Sequence, residues 1–383
     1  MAKVIFHIDL NAFFATCEQL RNPELFGKPI AVCTDSRGSV VTTASYEARA
    51  FGVHSALPLA IAKQKCPELI TVDADFSLYH KKSGEFMDFL KDYSTIIEPA
   101  SIDEAYLDVT QLIKNYEKPL QLAIDIQQQL KQKTGLWCSI GVGPNKFLAK
   151  MASDRRKPDG IFVLRKREVQ SKLWPLDIGK MHGIGRVSSQ KLREINIITI
   201  GDLANAALDR LVPVLKNQAY FFQQLAWGND ESVLETDHQV KSISASNSLY
   251  EPLFEYEEIS QLLRTQAADI ARKLNQDQFG ALQLSLTVRN DVYQQYSKSI
   301  TFKSPITDAQ DMYQQALLLY DQFEVEGGLK YCGLFVNRFE SIEDEIFTLF
   351  NQQQNISSQE IIQKVNDLFD GKVLKRGSEA SNE

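Results

Sequence analysis

The sequence predicts a multi-domain α+β protein. Three observations carry that expectation: 383 residues with 44% hydrophobic content, a strand–turn–helix signature at the start, and a β-α-β-β-α-β succession over residues 241–340. A chain of this length and composition can bury a large core and exceeds the usual size of one domain. No apolar run approaches the roughly 20 residues that a membrane-spanning helix needs. The opening MAKVIFHIDL lacks the basic region, apolar stretch and cleavage site of a signal peptide, so the expectation is a cytoplasmic protein with no membrane partner. The cysteines, Cys17, Cys33, Cys66, Cys138 and Cys332, are odd in number, scattered, and without metal-ligand spacing. Neither a disulfide framework nor a zinc site is indicated.

Residues 4–9 read as a short buried strand with a polar end, and 12–20 carry a helical pattern closed by Asn22-Pro23. Residues 95–109 predict a hairpin turning at Pro99-Ala100; a helix over 120–131, a strand over 138–142 and a helix from about Asn145 follow. Residues 21–75, rich in Gly, Pro and small side chains, interrupt this α+β domain as a modest insert. The stretch 166–233 is mostly helical in pattern and contains His182-Gly183-Ile184-Gly185 ahead of an apolar-patterned 187–192. That matches a helix–hairpin–helix element, whose backbone N–H groups and helix N-terminus suit a phosphate oxygen. A glycine loop that merely turns the chain is the alternative.

From residue 241 the pattern is strand (242–250), helix (257–274), strand (281–289), strand (297–303), helix (309–323) and strand (331–339), a ferredoxin-like unit. In the second strand Leu282, Leu284, Leu286 and Val288 are expected on one face and Gln283, Ser285, Thr287 and Arg289 on the other. The polar face reads either as a surface for a duplex backbone or as an ordinary solvated face. Beyond residue 340 the chain is acidic, then polar, then briefly helical in pattern, which is the mark of a tail with short motifs.

The formal net charge is −7 and the sequence pI about 5.5, which excludes a protein that coats nucleic acid by bulk charge. Basic residues nevertheless crowd positions 146–193. Of these, Lys150, Arg155 and Arg156 read as DNA-backbone contacts or as a solvated helix face. Asp9 ends a strand and Asp103-Glu104 sits beside a hairpin turn on a neighbouring strand, so three carboxylates can converge. Oxygen-only ligands suit Mg²⁺, and two such ions about 4 Å apart would serve both oxygens of a phosphoryl transfer. An Asp that merely caps a turn is the alternative.

Five blocks in order decide between these readings: Ile8-Asp9-Leu10-Asn11-Ala12-Phe13-Phe14-Ala15 with Glu18; Thr42-Thr43-Ala44-Ser45-Tyr46-Glu47-Ala48-Arg49 with Phe51-Gly52-Val53; Ser101-Ile102-Asp103-Glu104-Ala105-Tyr106-Leu107-Asp108; Ser139-Ile140-Gly141-Val142-Gly143-Pro144-Asn145-Lys146; and Lys157-Pro158-Asp159-Gly160. Together they resemble the Y-family DNA polymerases, and residues 178–185, 241–244 and 365–378 are similar to its UmuC-like bacterial branch.

The resemblance implies a right-hand polymerase. A ferredoxin-like palm would comprise 1–20 and 76–165, small fingers 21–75, a helical thumb with helix–hairpin–helix 166–233, a β-α-β-β-α-β little finger 241–340, and a tail 341–383. It implies an error-prone, template-directed polymerase of translesion synthesis that uses primer-template DNA and dNTP. Asp9, Asp103 and Glu104, with the Leu10 carbonyl, would hold two Mg²⁺ ions. Tyr46, Arg49 and Lys157, with the N–H groups of Phe13 and Phe14, would bind the triphosphate, and Phe14 would be the steric gate against a ribose 2′-hydroxyl. Family members dock on a sliding clamp through a terminal apolar peptide that typically begins with Gln. Here the candidate is Ile346, Phe347, Thr348, Leu349 and Phe350, without the Gln; a segment packing on its own domain is the alternative. Accessory SOS-type subunits are possible partners. The acidic charge implies weak, salt-sensitive DNA binding. The rival functions are a non-catalytic DNA-binding scaffold of the same shape and a metal-dependent nuclease or phosphatase. Against the first stands the full set of Asp9, Tyr46, Arg49, Asp103, Glu104 and Lys157; the second, built on the same carboxylates, leaves Tyr46, Arg49 and Phe14 without a job.

Overall fold

Alternation along Ile5-Phe6-His7-Ile8-Asp9-Leu10 sends Phe6, Ile8 and Leu10 to one face of a strand and Ile5, His7 and Asp9 to the other. In the computed structural model, which describes residues 3–36, 38–115, 118–237 and 240–342, this segment is β1 (Ile5–Leu10), and all six residues are buried. The chain divides into two compact units, Met1–His238 and Gln239–Glu383.

In the first unit Ala12, in the left-handed region at φ 43°, turns the chain from β1 into α1 (Phe13–Arg21), whose start no side chain caps. Next come β2 (Ile30–Val32), β3 (Thr43–Ala44), α2 (Tyr46–Ala50), α3 (Leu59–Lys65) and β4 (Ile70–Val72). The three strands form a small sheet in the order β3-β2-β4 over its own core of Ala31, Val41, Ala44, Val53 and Leu59.

The principal sheet is completed by segments further along the chain. These are α4 (Phe76–Lys91), β5 (Ile97–Pro99), β6 (Glu104–Asp108), α5 (Pro119–Thr134), β7 (Cys138–Gly143), α6 (Lys146–Ser153) and β8 (Ile161–Val163). Its order is β5-β6-β1-β7-β8, which puts β1 in the centre, antiparallel to both neighbours. Phe6, Ile8 and Leu10 join Tyr79, Phe86 and Leu90 of α4 and Leu122, Ile126 and Leu130 of α5 in one core. Spacing of four in α5 keeps its apolar stripe on that face.

The opposite face of the sheet is covered by α6, and two glycines let it come close. A Cβ on Gly141 would lie 2.0 Å from the Ala149 carbonyl oxygen, and one on Gly143 would lie 2.6 Å from the Ala149 nitrogen. The helix backbone therefore rests directly on β7. The outer side of α6 (Phe147, Leu148, Met151) shares a core with the helices that follow: α7 (Arg186–Glu194), α8 (Ile200–Asn205), α9 (Leu208–Leu215) and α10 (Ala219–Ala226). The glycine pair at Gly183 and Gly185 precedes α7, and Gly183 has φ 89°, which suits the turn.

In the second unit, β9 (Ser242–Leu253), α11 (Tyr256–Gln276), β10 (Phe279–Asn290), β11 (Gln295–Ile306), α12 (Ala309–Tyr320) and β12 (Leu329–Ser341) follow the expected β-α-β-β-α-β order. The sheet order is β11-β10-β12-β9, all antiparallel, so both β-α-β pairs are split by another strand. Leu284, Leu286 and Val288 are fully buried beneath α11 and α12, and Gln283, Ser285, Thr287 and Arg289 on the other face are half-exposed.

Three details depart from expectation. Leu282 is only half-buried while Ala281 is fully buried, because the β10–β11 register slips between Ala281 and Gln283. The hairpin turn is longer than Pro99-Ala100: β5 ends at Pro99 and β6 begins at Glu104. The Glu104 carbonyl accepts from the Ala100 and Ser101 N–H groups, which leaves Asp103 in the turn rather than on the strand. Ile346, Phe347, Thr348, Leu349 and Phe350 lie outside the described residues.

Candidate functional site

Asp9 and Glu104 are register partners across β1 and β6. Being odd-numbered on β1, Asp9 points away from the apolar core toward α6, where it is 4% exposed. Lys150 of α6 donates to Glu104 Oε1 at 2.6 Å and reaches Asp9 Oδ2 at 3.4 Å. Lys157 donates to the same Asp9 oxygen at 2.6 Å and lies 2.8 Å from Asp154.

Electrostatics follow from this crowding. Burial pushes the Asp9 carboxyl up to about 7, reinforced by Glu104 and opposed by Lys157. Burial acts on Glu104 in the same sense, but its contacts with His7 and Asp9 and the hydrogen bond from Lys150 outweigh it and hold this carboxyl below its ordinary range. Burial likewise opposes the Lys157 ammonium, yet Asp9 and Asp154 raise it overall. His7, two residues before Asp9 on the same face, is lowered to about 4 by burial. Its Nδ1 is 2.8 Å from the Ser153 hydroxyl, and its Nε2 stands 3.5 Å from Glu104.

Asp103 is brought near by its backbone: its carbonyl accepts the Leu10 N–H at 2.9 Å. Its carboxylate is held elsewhere, accepting from the Ser101 hydroxyl at 2.5 Å. Of the three expected carboxylates the structure thus joins two, and among the described residues no three Asp, Glu, His or Cys side chains converge to hold a metal ion. The reason is the longer turn, in which Ser101 takes the Asp103 carboxylate. The donor set still fits a hard divalent cation: two adjacent carboxylates, one buried and one half-buried, a third beside them in the turn, and oxygen ligands throughout.

Phe13 is core, 2% exposed. Phe14 is half-buried and stacks on Tyr79. With no capping side chain, the first N–H groups of α1 have no helical acceptor. Arg49 lies over the Tyr46 ring at 4.7 Å and donates through Nε to the Ala44 carbonyl. The Tyr46 hydroxyl is buried and has no hydrogen-bond partner among the described residues. Burial raises its pKa, against the pull of Arg49 and Lys157. A buried polar atom without a protein partner calls for one from outside the chain, such as an ordered water or a bound ligand.

Sequence reasoning missed two members of the site. Lys150 is 8% exposed, so it is neither a solvated lysine nor a backbone contact for DNA; the signal was the glycine pair in Gly141-Val142-Gly143, which draws α6 onto the sheet. Arg155 and Arg156 remain exposed, each about 6 Å from the Phe162 ring centre. His7 was legible only through its alternation with Asp9. Beside Glu104 an open groove of about 450 Å³ is lined by Glu98, Tyr106, Lys146, His182 and Phe221. Lys146 spans both oxygens of Glu98 at 2.7 Å.

Paired carboxylates flanked by lysines form a site suited to phosphoryl transfer. Residues 8–154 match the model of the impB/mucB/samB family, 166–197 the IMS family HHH motif and 240–349 the impB/mucB/samB family C-terminal domain. The chain belongs to this family, the Y-family of DNA polymerases. It is 34% identical to DNA polymerase IV 1 of Bacillus subtilis (strain 168), covering 100% of this chain and 94% of that one. To DNA polymerase IV of Alkaliphilus oremlandii (strain OhILAs) it is 37% identical, over 92% and 90%. Among solved structures, the Y-family DNA polymerase chimera Dbh-Dpo4-Dbh superposes with a TM-score of 0.80 at 29% identity, over 88% and 99%. An insertion ternary complex of Dbh DNA polymerase gives 0.66 at the same identity, again over 88% and 99%. The chain thus has the mixed α/β make-up of Y-family polymerases, with parts consistent with palm, thumb and little finger, and enzymes of this family work with divalent metal ions. No described helix is long and apolar enough to cross a membrane.

Proposed function

We propose that this chain is a DNA-directed DNA polymerase of translesion synthesis, joining an incoming dNTP to a primer 3′-hydroxyl opposite a template base. The observation that carries the reading is the in-register pair Asp9 and Glu104 with lysines at its carboxylates. Asp9, Glu104, Asp103 and the Leu10 carbonyl would hold two Mg²⁺ ions, which when bound neutralise charge on the attacking and leaving oxygens.

The remaining work falls to the chain's own groups. Lys157, Arg49 and Tyr46 bind the triphosphate, Arg through its planar fork and Lys as a point charge. The N–H groups of Phe13 and Phe14 add donors at the helix start. Phe14 fills the space of a ribose 2′-hydroxyl. The primer end occupies the groove between Glu104 and His182, where Lys146 is already engaged with Glu98. Catalysis then rests on positioning and preorganised charge, with no covalent intermediate on the protein.

Residues 1–20 with 76–165 serve as palm, 21–75 as fingers, 166–233 as thumb, 241–340 as little finger and 341–383 as tail. Fingers this small cannot close tightly on a base pair, which favours distorted templates at the expense of accuracy. The half-exposed Gln283, Ser285, Thr287 and Arg289 suit contact with a duplex backbone. Residues 346–350 are the candidate clamp contact, accessory SOS-type subunits are possible partners, and the cytoplasm is the expected compartment.

Primer extension with purified protein, Mg²⁺ and four deoxynucleotides tests the reading. Extension that ends in Asp9→Asn and Glu104→Gln supports it. No extension, even with a clamp present, leaves a scaffold; shortening of the primer leaves a nuclease. Loss of clamp stimulation on deleting 346–350, with basal synthesis intact, assigns the docking peptide.

A further inference from the structure

One polar network near the site, buried at Asn11 and Ser139 and open to solvent at Asp159, has no part in the mechanism above. Asn11, 2% exposed, follows the strand end that carries Asp9 and Leu10. Its backbone is fixed on both sides: the N–H donates to the Trp137 carbonyl at 2.7 Å, and its carbonyl accepts from the Thr16 hydroxyl at 2.8 Å. Its side chain has one workable orientation. Oδ1 accepts from the Ser139 hydroxyl at 2.9 Å, and Nδ2 donates to Asp159 Oδ1 at 2.6 Å. A flipped amide would set oxygen against the Asp159 carboxylate.

Asp159 belongs to the turn Lys157-Pro158-Asp159-Gly160, two residues after the lysine that reaches Asp9. The same turn is pinned twice more. Gln127 Nε2 donates to the Asp159 carbonyl at 3.0 Å, and the Gly160 carbonyl accepts from Ile140 N at 2.9 Å. Those bonds hold the turn to α5 and β7. Apart from the Lys157–Asp9 contact itself, the Asn11–Asp159 bond is, among the described residues, the one hydrogen bond from this turn to the segment that carries Asp9.

We propose that Asn11 is a positioning residue for Lys157. Through Asp159 it sets where the ammonium group stands relative to Asp9, and hence the affinity for the incoming nucleotide rather than the rate of the step after binding. The inference rests on the reading of Lys157 as a triphosphate ligand.

The pair can be exchanged without loss of hydrogen bonding. Asn11→Asp alone sets two carboxylates against each other. Asn11→Asp with Asp159→Asn restores a donor and an acceptor, leaves Ser139 an oxygen to donate to, and keeps the charge of the pair. Single-turnover extension over a range of dNTP concentrations separates apparent Kd from maximal rate. Asn11→Asp should raise the apparent Kd about tenfold, the loss of one charge-assisted hydrogen bond, with the maximal rate within about twofold. The exchanged pair should return the Kd to within about threefold of the parent. An unchanged Kd in Asn11→Asp overturns the proposal, as does a fall in maximal rate alone or an exchanged pair no better than the single variant. The thermal midpoint of each variant identifies a purely structural role, which would depress stability and both kinetic parameters together. Lys157→Ala separates the two levels. If it raises Kd while Asn11→Asp does not, only the positioning role fails; if Lys157→Ala leaves Kd unchanged, the triphosphate reading and the positioning role fall together.

Discussion

Phe14 lies flat against Tyr79, with ring centroids 4.2 Å apart and planes 11° from parallel. The Tyr79 hydroxyl in turn donates to Glu18 at 2.7 Å, and Phe76 closes on the Phe14 ring edge-on at 5.9 Å. A ring held in this way does not yield to an added hydroxyl group. Phe14→Ala should raise ribonucleotide incorporation by at least about tenfold, the usual worth of a small steric difference in a pocket. Metal-dependent DNA synthesis should persist. Competition between rNTP and dNTP measures it, and unchanged sugar discrimination removes Phe14 from the role.

Tyr46 permits a cleaner separation of binding from stability. Its buried hydroxyl has no hydrogen-bond partner among the described residues, so Tyr46→Phe should not cost the free protein stability and can raise it by up to about 1 kcal/mol. The same change should weaken dNTP binding by about three- to tenfold. Thermal melting and nucleotide titration on one preparation check both halves. A melting point several degrees lower would mean that the hydroxyl already has a partner in the free protein.

Much of this was legible in the sequence, for physical reasons. Leu122, Ile126 and Leu130, or Leu284, Leu286 and Val288, announce helix and strand because burial on one face imposes a period. Asp9 and Glu104 were legible as a pair only through the family resemblance of the blocks that carry them, because β1 and β6 meet by a non-local pairing that no local pattern announces. Asp103 was placed too simply: whether its carboxylate faces Glu104 or Ser101 depends on a turn of four residues, and local hydrogen bonding decided it. Lys150 was hidden for the opposite reason. Nothing local marks it, since its burial results from two glycines on another element.

The five cysteines offer a test of burial that is independent of the site. All are buried and unpaired. Burial pushes Cys17 and Cys332 up to about 12 and raises Cys33 and Cys138 as well. At pH 8 a soluble disulfide reagent should find essentially no reactive thiol in the native protein, and five after unfolding. Because the folded values lie above the unfolded ones, the neutral thiols stabilise the fold fully below the ordinary thiol range. That contribution is lost as pH rises from about 9 toward 12, by about 1.4 kcal/mol per pH unit for each thiol at most. Replacing Cys332 by Ala should flatten the alkaline fall in melting temperature; an unchanged slope would show that this thiol ionises as readily in the fold as out of it.

Gly141 tests whether the site depends on how closely α6 approaches the sheet. In Gly141→Ala the new methyl would lie 2.0 Å from the Ala149 carbonyl oxygen and 2.3 Å from the Ser153 nitrogen. Both obstacles are backbone, so no side-chain rotation relieves the clash and the helix must move outward. Lys150 is the next residue after Ala149, and its ammonium group lies 2.6 Å from Glu104. A shift of about 1 Å would lengthen that contact past hydrogen-bonding range and also separate Ser153 from His7. The expected outcome is a loss of about 2–3 kcal/mol from overpacking, together with a fall in extension rate of up to about a hundredfold even well below the melting temperature. Melting curves and single-turnover extension at 20 °C below the new midpoint, a margin of roughly 5 kcal/mol by the usual size scaling, separate the two effects. Full activity at that temperature would show that the carboxylate pair keeps its geometry without α6.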